Sequence, residues 1–126
     1  MIFGIGTDLC EIARIQRVLD RYGDRFARKI LVESEMTRFL HHRKPAAYLA
    51  KRFAAKEAFS KAMGSGIRFP VNWQNVSVEN GHSGKPMLLF SAPLDKLLRA
   101  RGVTAAHLSL TDETGMACAF VVLEGQ

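Results

Sequence analysis

The stretch from Pro45 to Gly64 leaves this chain the fewest choices. Arg52-Phe53-Ala54-Ala55-Lys56-Glu57-Ala58-Phe59-Ser60-Lys61-Ala62-Met63 is built largely from good helix formers. Pro45 suits the first turn of a helix, and Gly64 is a residue that ends one. The spacing therefore predicts a helix over Pro45–Met63, followed by the low-bulk loop Gly64-Ser65-Gly66. Ala55, Ala58, Phe59 and Ala62 fall on one apolar stripe. Glu57 and Lys61, four apart, share a different face, while Lys56 points elsewhere. Any fold for this chain must house that helix and present a carboxylate and a lysine just before a small-residue loop. A solvated Glu–Lys pair beside a C-cap is the plainer reading of the same residues.

A second stretch gives those two side chains company. Ile2–Leu9 reads as a strand with Phe3, Ile5, Thr7 and Leu9 on one face. Gly4, Gly6 and Asp8 take the other face. Two glycines beside one carboxylate let something approach the backbone closely; tight packing and a bulge are the alternatives. Gly4-Ile5-Gly6-Thr7-Asp8 lacks the third glycine of a dinucleotide fingerprint. Two carboxylates from separate elements, Asp8 and Glu57, are the donor set Mg²⁺ uses when waters and substrate oxygens complete its shell. A lysine and loop amides beside them suit phosphate, so phosphoryl-type transfer is the chemistry indicated. Paired carboxylates also serve glycosidases, but the adjacent lysine favours phosphate.

The helix expected over Glu11–Tyr22 buries Ile12, Ile15, Leu19 and Tyr22 and carries Arg14, Arg17 and Arg21 on another face. Glu11 and Asp20 are its only acids, so that face is not balanced by pairing. With a formal net charge of +6, an anionic partner is expected, although a solvated face is the usual meaning of such a stripe. A short helix over Glu33–His42 is capped by Ser34 and buries Met36, Phe39 and Leu40. His41 and His42, being adjacent, do not share a helix face, which argues against a metal site from this pair.

Arg68–Asn75 reads as a loop, and Val76–Glu79 and Met87–Phe90 as a hairpin around Asn80–Gly84. Leu94–Arg101 is a helix closed by Gly102. Ala106–Leu110 and Met116–Leu123 are strands joined through Thr111–Gly115. This order predicts an α+β fold, a mainly antiparallel sheet with the long helix packed on it, in one domain over residues 1–126. No apolar run is long enough to span a bilayer, and Met1-Ile2-Phe3-Gly4 lacks the basic start of a signal peptide. Cys10 and Cys118 make no disulfide framework, so a reduced, cytoplasmic chain is expected.

Gly4-Ile5-Gly6-Thr7-Asp8-Leu9-Cys10-Glu11-Ile12-Ala13-Arg14-Ile15 resembles the N-terminal signature of bacterial holo-[acyl-carrier-protein] synthases. Arg52–Ala58 through Gly64-Ser65-Gly66-Ile67 resembles their second signature, with Ser65 where the family more often has threonine. Gly84-Lys85-Pro86 and His107–Glu113 also match family segments, in order. The resemblance implies a Mg²⁺-dependent 4′-phosphopantetheinyl transferase of fatty acid biosynthesis. Such an enzyme moves phosphopantetheine from coenzyme A to a serine of apo acyl carrier protein and releases adenosine 3′,5′-bisphosphate. It implies Asp8 and Glu57 as metal ligands, and Ser60, Lys61, Gly64, Ser65 and Gly66 as phosphate contacts. Arg52, Lys85, Pro86 and His107 would line the nucleotide part of the site, with Asp8, Glu57, Lys61 and His107 as the catalytic set. For His107 a buried, satisfied residue in the sheet is the alternative. Arg14, Arg17 and Arg21 become the docking stripe for the acidic carrier protein, and the family implies a homotrimer with active sites between subunits. A nucleic-acid-binding module is the competing class. The basic residues are not interleaved with the aromatics that stacking requires, and such a module leaves Asp8 and Glu57 without a role. No nucleic-acid and no membrane partner is therefore expected.

Overall fold

The computed structural model describes residues 1–126. Strand β1 (Ile2–Glu11) leads into helices α1 (Ile12–Tyr22), α2 (Asp24–Ile30), α3 (Glu33–Leu40) and α4 (Pro45–Met63). A hairpin of β2 (Val76–Asn80) and β3 (Pro86–Phe90) follows, then α5 (Ala92–Ala100), β4 (Val103–Glu113) and β5 (Met116–Gly125). A three-stranded sheet has the order β1-β5-β4, and β2-β3 form a second sheet; every pairing is antiparallel. This is the α+β architecture expected, with α4 laid on the inner face of the larger sheet.

The bounds of α4 match the sequence reading at both ends, Pro45 in its first turn and Gly64 in the left-handed region at φ 75°. The apolar stripe is only part of what it buries. β1 and β5 pack on one side, and α1, α2, α3 and β2 close around the rest. Ala54, Ala55, Ala58, Phe59, Ala62 and Met63 are all buried against these neighbours. The small face of the helix explains the glycines of β1. A Cβ on Gly4 would lie 2.0 Å from the carbonyl oxygen of Ala62, and one on Gly6 would lie 1.9 Å from that of Ala58. What approaches the strand is the helix backbone itself. The glycines admit α4, and thereby bring Asp8 of the strand to the helix that carries Glu57.

Several local expectations are corrected. Glu11 is the last residue of β1 and not part of α1. Tyr22 and Leu40, expected in the core, are 47% and 52% exposed; each is the last residue of its helix, at the end of the buried stripe. Asp24–Ile30 form a separate helix, α2, which the sequence reading did not assign. Ser34 does not cap α3. Its hydroxyl donates to Glu79, and Glu35 instead reaches back to accept the amide of Val32 at 3.0 Å. Strands β4 and β5 extend to Glu113 and Met116, so their turn is the pair Thr114-Gly115, both at positive φ, and not Thr111–Gly115. Lys56, read only as pointing away from the Glu57–Lys61 face, is fully buried.

Candidate active site

Asp8 lies on the inner face of β1, two residues past Gly6, with its side chain 16% exposed. Lys61, one turn after Glu57 on α4, donates to Asp8 Oδ1 at 3.2 Å and to the carbonyl oxygen of Thr7 at 3.0 Å. Glu57 is half-buried beside them. Partial burial raises its pKa, and the charge of Asp8 raises it further, while Lys61 and Arg14 oppose the rise. The two carboxylates that sequence spacing alone could not join therefore act on each other. Arg14, from the first turns of α1, reaches the same ground. It also opposes the rise that burial imposes on the Cys10 thiol.

This arrangement accommodates a divalent cation. Two carboxylates converge in a partly desolvated place, and the one ammonium in contact offsets one of the two charges. No third His, Cys, Asp or Glu joins them. One or two carboxylates with water and phosphate oxygens is the arrangement Mg²⁺ takes in phosphoryl-transfer sites, whereas Zn²⁺ and Ca²⁺ use more protein ligands. At the end of α4 the chain opens into Gly64-Ser65-Gly66, with both glycines at positive φ and exposed, and the Ser65 hydroxyl donating to the Gly66 carbonyl. The Ser60 hydroxyl is buried and donates to the Glu57 carbonyl at 2.7 Å, so it is engaged within the helix.

A second group forms further back along α4. Arg52 is buried under Tyr48, its guanidinium carbon 4.2 Å from the ring centroid. Its Nη2 donates to the Val78 carbonyl at 3.2 Å and to Asn80 Oδ1 at 3.5 Å. Asn80 in turn donates to the Gly84 carbonyl and pairs with Pro86 across the hairpin. The hairpin whose tip bears exposed Lys85 is thus tied to Arg52 through Asn80.

His107 is not with either group. It is exposed, on the outer face of β4, where its Nε2 contacts Glu124. Asp8 is on the inner face of β1, the opposite edge strand of the sheet. The alternative of a buried, satisfied histidine is therefore excluded, since the outward-facing register of β4 leaves His107 in solvent. Arg14, Arg17 and Arg21 are exposed along α1 as expected. They are not wholly unpaired, because Arg17 meets Glu11 at 3.4 Å and Arg21 lies over the Tyr22 ring.

The sequence reading missed the buried ionic cluster of Glu35, Lys56 and Arg52. Lys56 Nζ donates to Glu35 Oε1 at 2.7 Å, to the Ile30 carbonyl at 2.7 Å and to the Trp73 carbonyl at 2.9 Å. Burial pulls the Lys56 pKa down, with Glu35 opposing. A signal was available: Lys56 lies three residues before Phe59 and seven before Met63, on their buried face.

Residues 4–121 match the model of the 4′-phosphopantetheinyl transferase superfamily. The chain is 54% identical over 124 residues to the holo-[acyl-carrier-protein] synthase of Nitrosomonas europaea, covering 98% of this chain and 99% of that protein. The crystal structure of the Neisseria meningitidis holo-[acyl-carrier-protein] synthase superposes with a TM-score of 0.95 at 44% identity, covering 98% of this chain and 99% of that one. The Bacillus anthracis holo-(acyl-carrier-protein) synthase, solved in complex with CoA (3′,5′-ADP), superposes with a TM-score of 0.84 at 37% identity, covering 100% and 99%.

Proposed function

Because the chain belongs to the 4′-phosphopantetheinyl transferase superfamily and is an enzyme of its holo-[acyl-carrier-protein] synthase group, we propose that it transfers 4′-phosphopantetheine from coenzyme A to a serine of apo acyl carrier protein. In the transfer the serine oxygen bonds to the phosphorus that carries the pantetheine. The bond from that phosphorus to the leaving bisphosphate breaks, and the serine proton passes to solvent. Adenosine 3′,5′-bisphosphate departs. The observation that carries this reading is the convergence of Asp8, Glu57 and Lys61 at the β1–α4 contact, beside an exposed glycine loop.

Asp8 and Glu57 would hold Mg²⁺, which when bound neutralises charge on the pyrophosphate oxygens. Lys61 can turn from Asp8 towards the same phosphates, being half-exposed and joined only through its ammonium. The amides of Ser65 and Gly66 make no backbone hydrogen bond and are free for a phosphate oxygen, while that of Gly64 closes the helix on the Lys61 carbonyl. Arg52, with Lys85 and Pro86 at the hairpin tip, receives the nucleotide end. Arg14, Arg17 and Arg21 face solvent on the element that leaves Asp8, which supports docking of an acidic carrier protein there, with its serine directed to the Asp8–Glu57 site.

His107 points to assembly. The outer face of the sheet carries Ile5 at 60% exposed, Leu9 at 65% and Phe120 at 45%, an apolar surface that water does not favour. His107 shares that face. A homotrimer closing over it covers the apolar residues and brings His107 of one copy to the nucleotide site of the next. We place the reaction in fatty acid biosynthesis in the cytoplasm; no helix is long and apolar enough to cross a membrane. Mass spectrometry of apo acyl carrier protein, incubated with the enzyme, coenzyme A and Mg²⁺, tests the reading. A phosphopantetheine adduct on one serine is expected, and an unmodified carrier after prolonged incubation refutes it.

A further inference from the structure

Three ionisable side chains, Glu35, Lys56 and Arg52, are buried together, one negative and two positive. The pairing is unequal. Glu35 Oε1 accepts Lys56 at 2.7 Å and the Val32 amide at 3.0 Å. Its Oε2 accepts the Val78 amide at 2.8 Å and stands 3.8 Å from Arg52 Nε, too far for a hydrogen bond. Arg52 Nε is one of two buried side-chain polar atoms without a partner. Lys56 donates three hydrogen bonds, to two carbonyls and the carboxylate, and only the ammonium form has three N–H groups to give. Glu35 therefore gives its short, hydrogen-bonded contact to Lys56. Arg52, 5% exposed, shares the same carboxylate only at 3.8 Å and is otherwise held by neutral oxygens and a tyrosine face.

Two buried cations sharing one carboxylate leave a positive charge incompletely compensated, which an incoming anion relieves. We propose that Lys56 is a positioning residue for coenzyme A. By occupying Glu35 it keeps that carboxylate from capturing Arg52, and so leaves the guanidinium facing the hairpin tip for a phosphate of the nucleotide. This rests on Arg52 belonging to the nucleotide site, as proposed above. Without Lys56, Glu35 closes on Arg52 Nε and Nη as a bidentate ion pair, which is the geometry a guanidinium prefers and which competes with the ligand.

The test is calorimetric titration of adenosine 3′,5′-bisphosphate into the full-length protein and four variants, each checked by thermal melting. Arg52→Met is expected to weaken binding about tenfold or more, the worth of one lost charge-assisted contact. Lys56→Met is expected to weaken it to a similar degree although Lys56 touches no ligand. The double variant Glu35→Gln/Lys56→Met removes the captor together with its guard, and is expected to return to within about threefold of the starting affinity. A residue with a purely structural part would make the double variant worse than either single one. Lys56→Met binding at full strength while Arg52→Met is weakened overturns the proposal and leaves the nucleotide reading intact. A double variant no better than Lys56→Met overturns it as well. Arg52→Met binding at full strength overturns the nucleotide reading of Arg52 and the proposal with it. Should Lys56→Met not fold, Glu35→Gln carries the test. Unchanged or tighter binding is expected, and a loss matching Arg52→Met overturns the proposal, since it would mean that Glu35 supports Arg52.

Discussion

Replacing Gly6 by alanine tests how the site is assembled. The new Cβ would lie 1.9 Å from the Ala58 carbonyl oxygen and 2.8 Å from the Ala62 amide nitrogen, both backbone atoms of α4. A carbon meets a carbonyl oxygen comfortably at about 3.3 Å, so the helix must back away by roughly 1.4 Å. Overpacking of this kind costs about 1–3 kcal/mol, and the upper end applies because no side chain can swing aside. Lower entropy of the unfolded chain returns about 0.4–1 kcal/mol. The net loss is about 2 kcal/mol, or about 8 °C in the melting temperature of a chain this size. The displaced helix carries Glu57 away from Asp8, and a shift of about 1 Å in a reacting geometry can cost about a hundredfold in rate. Differential scanning calorimetry reads the first effect, and carrier-protein modification at a temperature where the variant stays folded reads the second. A Gly6→Ala protein that melts within a degree of its parent with full activity would show that the strand does not need the glycine to seat α4.

Other outcomes follow from the same geometry. Asp8→Asn and Glu57→Gln each remove a charged ligand at nearly constant shape, so activity is expected to fall at least a hundredfold with the fold intact, and to vanish in excess chelator until Mg²⁺ is restored; activity surviving the chelator refutes the metal reading. The raised Glu57 pKa has a defined sign: the folded state holds that proton more tightly than the unfolded chain, so ionising Glu57 lowers stability as pH rises through the raised value. In chelator, Glu57→Gln is therefore expected to melt above the parent at pH 7 and to lose that advantage in acid below the ordinary carboxylate range; an equal difference at both pH values contradicts the assignment. Arg14→Glu is expected to raise the Michaelis constant for the carrier protein more than that for coenzyme A, with the effect shrinking in high salt. A rise confined to coenzyme A would assign α1 to the nucleotide site.

The sequence made the long helix legible because its stop signals are local. Pro45 and Gly64 act through their own backbones, and the structure keeps both bounds. It also located Asp8, Glu57 and Lys61, but not their meeting, which depends on Gly4 and Gly6 admitting the helix backbone at Ala62 and Ala58, far along the chain. Tyr22 and Leu40 misled because periodicity marks a face and not how far along it the neighbouring element extends. Lys56 and Glu35 were illegible as a pair for the same reason. Lys56 could be placed on the buried face of α4 from its spacing to Phe59 and Met63, but its partner Glu35 reads as an ordinary surface charge until α3 packs against α4. The place of His107 was visible only as a strand residue; that it faces outwards follows from its register with Val122 of β5.

The claim on which the site as a whole depends is that Asp8 and Glu57 of one copy work with His107 of another. Asp8→Asn and His107→Ala proteins are each expected to be poor catalysts as homotrimers of the 14.0 kDa chain. After subunit exchange, mixed trimers contain some sites with Asp8 and His107 both intact. Mass spectrometry of the carrier protein should then show the phosphopantetheine adduct forming well above the sum of the two separate preparations. Exchange confirmed by differently tagged subunits, with modification no faster than that sum, would contradict a site shared between subunits.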